Sequence, residues 1–164
     1  MNLKKIITTL SLFLLLSCGY EPIYSKKKIN INKNFSINTI NLIGDKKVNQ
    51  ILKNKLKKKI NEEKNSTKLN LNLNSRIEKS VTSKNKKGNP IGFSIKITTN
   101  LEVFENKILK GKKNFEGKFK YNNISNKFDL KQYEKNIKDN LISKLSYEII
   151  KYLNSLKWYL KHLK

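Results

Sequence analysis

The sequence predicts an α+β fold, a two-layer sandwich in which a four-stranded mixed sheet carries two helices on one face. Three observations lead to this prediction. Four segments alternate apolar and polar residues, two other segments space their apolar residues by three or four, and the segments follow in the order β-α-β-β-β-α. A sheet with one wet face buries its apolar face best when both one-sided helices cover it.

The first strand is expected from Phe35 to Ile43, with an irregularity near Asn38-Thr39 where the alternation slips. Gly44 and Asp45 then open a helix in which Asp45 is the expected N-cap. The helix carries one apolar stripe, with lysines over the rest of its surface. The stripe consists of Val48, Ile51, Leu52, Leu56 and Ile60. Residues 61–68 are the expected break before the next strand.

Three further strands are expected around residues 69–77, 93–103 and 115–121, each with an apolar and a polar side. A basic loop, 84–90, separates the first two, and Asn106-Lys107 is the expected turn before the last. Because a strand–helix–strand unit crosses over to a parallel neighbour, the first two strands should be parallel. The last three strands should form an antiparallel meander.

The final helix is expected to begin at Asp129 as N-cap, with Gln132 completing a capping box. Its apolar stripe consists of Tyr133, Ile137, Leu141, Leu145, Ile149, Leu153 and Leu156. The tail 157–164 contains Trp158 and Tyr159, and it either extends the helix or forms an interfacial segment at a membrane.

The composition is strongly basic, with 36 Lys and Arg against 12 Asp and Glu and a net charge of +24. Arg76 is the single arginine, and the chain contains no alanine, a bias typical of an AT-rich genome. Charge alone therefore identifies no partner. A generic polyanion binder stays open, but the single guanidinium group argues against nucleic acid as the partner.

The residue inventory argues against an enzyme. Cys18 is the single cysteine and His162 the single histidine, so neither a thiolate metal cage nor a cysteine–histidine pair away from the terminus can form. No glycine pattern matches a phosphate-binding loop. We expect no catalytic residues, no metal site and no cofactor.

The N-terminus has the pattern of an export signal. Lys4 and Lys5 precede an apolar run, Ile6–Leu16, that is about 16 Å long as a helix, too short for a hydrocarbon core of about 30 Å. The run ends in Leu-Ser-Cys-Gly, which resembles the lipobox of bacterial lipoproteins. The resemblance implies a signal peptide over residues 1–17 and a lipid-modified Cys18 on a polar tether, residues 18–34. An ordinary signal peptide with an incidental cysteine is the alternative.

Residues 18–24, Cys-Gly-Tyr-Glu-Pro-Ile-Tyr, resemble the start of LptE-type LPS-assembly lipoproteins of the alphaproteobacterial kind. The resemblance extends by element order over the rest of the chain, so residues 35–164 are expected to be a single domain of this type. It implies a non-catalytic lipoprotein on the periplasmic side of the outer membrane. Its implied partners are an LptD-type β-barrel, which it plugs, and lipopolysaccharide. Another envelope lipoprotein of similar fold is the alternative.

The predicted topology places the basic loop 84–90 and the connection to the last helix at the same end of the sandwich. That end gathers candidate lipopolysaccharide-binding residues, because lysine is a suitable point charge for phosphate. The candidates are Lys84, Lys86, Lys87, Lys127 and Lys131. The alternative is that they belong to a surface that is rich in lysine everywhere.

Overall fold

The computed structural model describes residues 35–59 and 66–162, and the predicted order of elements is confirmed. The elements are β1 (Phe35–Gly44), α1 (Lys46–Lys59), β2 (Thr67–Lys84), β3 (Pro90–Glu105), β4 (Ile108–Asn122) and α2 (Lys127–His162). The predicted signal peptide, Cys18 and the tether lie outside the described residues.

The sheet has the strand order β1-β2-β3-β4, with β1 and β2 parallel and the other two pairs antiparallel. The predicted parallel pair and meander are therefore confirmed. The register of β1 on β2 shifts between Ile37 and Thr39, so the extra residue is Asn38. This bulge is the irregularity that the broken alternation indicated.

β1 ends at Gly44, which adopts a φ of 88° that favours glycine. The turn allows the N–H of Asp45 to donate to the carbonyl oxygen of Ser75 on β2 at 2.7 Å. The Asp45 carboxylate accepts a hydrogen bond from the N–H of Val48 at 2.8 Å, which confirms Asp45 as the N-cap of α1. The chain thus leaves β1 beside Ser75 of β2 and returns over the sheet as α1.

Both helices cover the same face of the sheet, as predicted. The fully buried aliphatic side chains come from both helices and from the central strands β2 and β3, and each contributes about 1.5–3 kcal/mol through its burial. They are Leu52, Leu56, Leu71, Leu73, Ile95, Ile97, Leu101, Val103, Ile142, Leu145, Ile149, Ile150 and Leu153. One buried polar pair lies among them, the hydroxyls of Ser75 and Thr99 at 3.0 Å.

The opposite face of the sheet is polar. One row of polar residues crosses all four strands. In this row Asn41 pairs with Asn72, Asn72 with Glu102, and Glu102 with Lys112. Asn41 donates to the Asn72 side-chain oxygen at 2.9 Å, and Lys112 donates to Glu102 at 2.8 Å. The hydrogen bonds from Lys112 and Asn72 lower the pKa of Glu102. The predicted wet face is therefore present.

β2 is longer than predicted. It begins at Thr67, inside the expected break, and it pairs with β3 as far as Lys84 opposite Pro90. Because β1 ends opposite Ser75, residues 76–84 pair with β3 alone and form the free edge of the sheet, in which β2, β3 and β4 continue as three strands. The β2 side chains along this edge are mostly exposed, so apolar alternation fades although the pairing continues.

The prediction that Asp129 is the N-cap of the last helix is wrong. The helix begins at Lys127, and the side-chain oxygen of Asn126 accepts hydrogen bonds from the N–H groups of Phe128 and Asp129 at 2.9 and 3.4 Å. Just before this turn, Asn123, the residue after β4, donates its N–H to Ile91 of β3. A capping box with Gln132 does not form, since Gln132 instead donates to Asn136 at 3.5 Å.

The backbone of α2 continues as helix to His162, so the tail extends the helix over residues 157–162. Residues 163–164 lie outside the described part. Along the stripe predicted for α2, Ile137, Leu141, Leu145, Ile149 and Leu153 are buried, whereas Tyr133 is exposed.

Gly44→Ala is expected to destabilise the fold more than Gly88→Ala. Both glycines have positive φ, at 88° and 82°, so each alanine costs about 1–2 kcal/mol of backbone strain. A Cβ at Gly44 also overlaps the carbonyl oxygen of Ser75, whereas one at Gly88 meets nothing within 4 Å. Urea unfolding should show the larger loss for Gly44→Ala. Equal losses would show that the close approach to Ser75 contributes nothing.

Candidate functional site

Two connections meet at one end of the sandwich: the β2–β3 turn, residues 85–89, and the β4–α2 connection, residues 123–126. The N–H of Asn123 donates to the carbonyl oxygen of Ile91 at 2.8 Å, and its side-chain amide donates to that of Pro90 at 3.3 Å. The expected proximity of these two loops is therefore observed. We call the β2–β3 hairpin 76–93, the end of β4 from Phe119, the connection and the first two turns of α2 the basic end.

Asn85 organises the turn of the hairpin. Its side-chain oxygen accepts hydrogen bonds from the N–H groups of Lys87 and Asn89 at 3.0 and 2.9 Å, and its carbonyl oxygen accepts from Gly88 at 2.9 Å. An asparagine that binds its own backbone in this way stabilises a tight turn. The side chains of Lys86 and Lys87 are consequently held on an exposed tip.

The five predicted lysines all lie on the basic end and are all exposed. Three belong to the hairpin, one is the first residue of α2, and one follows a turn later: Lys84, Lys86, Lys87, Lys127 and Lys131. Within the described ranges, none of them lies within 4.0 Å of a carboxylate oxygen. The exposed carboxylate of Asp129 between the last two reduces the local positive charge. Their role in binding stays a prediction.

The basic end also exposes large apolar side chains that sequence reasoning did not single out. Phe128 is the most prominent, with 76% of its surface exposed. Four others come from the hairpin, from β4 and from α2: Val81, Ile91, Phe119 and Tyr133. An exposed apolar group rimmed by positive charge marks an interaction surface more often than scattered single residues do.

Aromatic rings join the hairpin to α2. Phe93 stacks on Tyr121 with ring centroids 5.7 Å apart, and Tyr121 meets the edge of Tyr133 at 5.9 Å. The Lys79 ammonium lies 4.5 Å from the centroid of the Phe93 ring. Such ring and cation–π contacts add to the burial of these side chains and hold the hairpin and β4 against the helix.

Glu134 is the polar centre of this junction. Its Oε1 accepts a hydrogen bond from the Lys79 ammonium at 2.6 Å and one from the Tyr121 hydroxyl at 2.7 Å. Burial raises the pKa of Glu134, but these hydrogen bonds and the charges of Lys79 and Lys138 outweigh it and hold the pKa below its usual value. Burial and the bond to Glu134 raise the pKa of Tyr121 well above its ordinary range.

The arrangement suits an amphiphilic anion, because exposed ammonium groups and exposed apolar side chains lie on the same end. The described residues bring no three His, Cys, Asp or Glu side chains together as a metal site. Neither helix, over its described length, is long and apolar enough to cross a membrane.

No protein-family model and no curated protein sequence matches the chain. Solved structures do. The chain is similar to rare lipoprotein B from Shewanella oneidensis at a TM-score of 0.59 and 16% identity, over 76% of this chain and 100% of that one. The fold is one that bacterial lipoproteins share.

Two other structures extend this similarity. One is an uncharacterized lipoprotein B from Nitrosomonas europaea, with a TM-score of 0.59 and 8% identity over 79% of this chain and 91% of that one. The other is a minor lipoprotein from Acinetobacter baumannii, with a TM-score of 0.52 and 10% identity over 75% and 95%. Identities this low relate the folds and leave the function to be argued from the chain itself.

Glu134→Gln is expected to reduce the free energy of unfolding by about 1–2 kcal/mol at neutral pH, because hydrogen bonds to a charged carboxylate are lost. The folded-state pKa lies below the unfolded one, so this stability is present above the unfolded pKa. It is lost as the pH falls through the folded pKa. Urea unfolding of both proteins should therefore differ at pH 7 and converge in acid.

Glu116→Gln provides the control, because the ion pair of Glu116 with Lys96 at 2.9 Å is exposed. An exposed pair contributes about 0–1 kcal/mol, so this variant should unfold nearly as the parent does. If both variants lose the same stability, Glu134 has no special role at the junction.

Proposed function

We propose that the protein is an outer-membrane lipoprotein that partners and plugs an LptD-type β-barrel and assists delivery of lipopolysaccharide to the outer leaflet, without catalysis. The observation that carries the proposal is the basic end, where unpaired lysines and exposed apolar side chains lie together on a fold shared with bacterial lipoproteins. The similarity of residues 18–24 to the start of LptE-type proteins supports it.

The chemistry of lipopolysaccharide fits both parts of the basic end. Its phosphates are dense anions that lysine ammonium groups bind as point charges. Its acyl chains are apolar, and Phe128, Ile91 and Val81 offer exposed apolar surface beside those lysines. A ligand with both groups gains from both kinds of contact, whereas a purely anionic ligand uses the lysines alone.

The dimensions of the domain suit a plug. β2 has 18 residues and spans up to about 60 Å, more than the 40–45 Å of a bilayer with its headgroups. A protein anchored at the inner leaflet that rises through a barrel therefore brings its far end to the level of the outer leaflet. The two-layer cross-section requires a wide barrel of about 22 strands or more.

A second candidate is a generic binder of polyanions. The net charge of +24 favours it, because lysines also cover α1 and the polar face of the sheet. The two functions differ in where binding is concentrated: at the basic end for the proposed function, and over the whole surface for the alternative.

Cys18→Ser is expected to release the protein from membranes, because serine cannot form the thioether to a diacylglycerol. Ser17→Ala is the matched control, since it keeps a small residue before the cysteine and should leave the lipid in place. Cell fractionation and intact-protein mass measure both outcomes. A Cys18→Ser protein that still carries lipid would overturn the anchor.

Reversing the charge of Lys84, Lys86 and Lys87 to glutamate should weaken lipopolysaccharide binding at least tenfold, since each lysine near an anionic surface contributes about 1 kcal/mol. The control is the same reversal at Lys53, Lys57 and Lys58 on α1, which changes the net charge equally. Titration with purified lipopolysaccharide compares the two. Equal losses would favour binding through bulk charge.

A further inference from the structure

At the end opposite the basic end, the β3–β4 turn exposes two aliphatic side chains. Asn106 and Lys107 form the turn with positive φ values of 48° and 68°, the geometry that suits a tight hairpin. Ile108 and Leu109 follow directly and expose 60% and 51% of their surfaces. We call residues 106–109 the apolar turn.

The chain enters the described domain at this same end. Phe35 pairs with Thr67, whereas Leu109 pairs with Phe104, which lies opposite Asn70. Phe35 and Leu109 are therefore three residues apart along the strands and three strand spacings apart across the sheet. Together these offsets give a distance of about 17 Å between them. The 34 residues that precede Phe35, with Cys18 among them, therefore join the domain close to the apolar turn.

The last turns of α2 reach the same end. A Cβ at Gly111, near the start of β4, would meet Tyr152 and Leu156, so the helix passes the turn there and continues to His162. The sequence of this final stretch contains Trp158 and Tyr159, the residue types enriched where protein meets lipid headgroups.

The charge on the apolar turn is positive. Lys110 and Lys112 are neutralised by Glu105 and Glu102, at 3.5 and 2.8 Å. Lys107 is exposed, and no described carboxylate lies within 4.0 Å of it. A cation beside two exposed aliphatic side chains suits an anionic lipid surface, which offers phosphate at the level of the headgroups and acyl chains just beneath.

We propose that the apolar turn docks on the leaflet that holds the N-terminal anchor. Ile108 and Leu109 enter the boundary between headgroups and acyl chains, and Lys107 contacts a lipid phosphate. The proposal rests on the proposed lipid anchor, which brings this end of the domain to the bilayer. Docking orients the long axis of the sheet away from the membrane, so that the basic end points away from the anchoring leaflet.

The test uses the full-length protein purified from cell envelopes and reconstituted into vesicles of phosphatidylethanolamine and phosphatidylglycerol. A fluorophore is attached at Lys107→Cys or, as the matched control, at Lys86→Cys on the basic end, so that each protein loses one lysine. Lipids that carry a quencher near the headgroup should quench the label at position 107 and leave the label at position 86 bright.

In the Lys107→Cys protein, Ile108→Ser with Leu109→Ser should abolish the quenching. Ile43→Ser with Ile91→Ser, at similarly exposed sites of 58% and 45%, should preserve it. Equal quenching at positions 107 and 86, or none at 107 in protein retained on vesicles, would overturn the docking while the anchor stands. Protein that carries two labels and leaves the vesicles has a free Cys18 thiol, and that result would overturn the anchor and the docking together.

Discussion

The end of β1 at Gly44 is the constraint on which the rest of the structure depends. The turn there transfers the chain from the sheet to α1 through the bond from Asp45 to Ser75, and it leaves β2 as the edge strand, paired with β3 alone, from Arg76 onward. Beyond Gly44 the sheet continues as β2, β3 and β4, so the two ends of the molecule acquire different surfaces.

The β2 edge beyond Gly44 has no strand on its outer side, so the hairpin depends on β4 and on α2 for support. It obtains this support from α2 through the rings of Phe93, Tyr121 and Tyr133 and through the carboxylate of Glu134, which binds Lys79 and Tyr121 together. The same junction that stabilises the hairpin holds exposed lysines and apolar side chains near one another. Stability and the proposed recognition of an amphiphilic anion therefore depend on the same contacts.

Local patterns predicted the elements and their order well, because alternation, helical spacing, the Asp45 cap and the Asn106-Lys107 turn are encoded within a few residues. The cap of α2 was mistaken because Asn126 and Asp129 are both suitable residue types for a cap, and only the structure shows that Asn126 accepts the capping hydrogen bonds. The exposed apolar group was missed because Val81 and Phe119 share the inward register of buried residues, but lie where the helical layer is incomplete. Topology placed the five lysines at one end, whereas composition alone could not distinguish them from the other lysines.

In the proposed function, an anchored, non-catalytic domain presents its basic end to lipopolysaccharide within a barrel partner. Isolation of the native protein from cell envelopes, followed by identification of the molecules that accompany it in equal amount, tests this claim most directly. The expected companions are one large outer-membrane β-barrel and lipopolysaccharide. Recovery without any barrel, or with nucleic acid in its place, would contradict the proposed function.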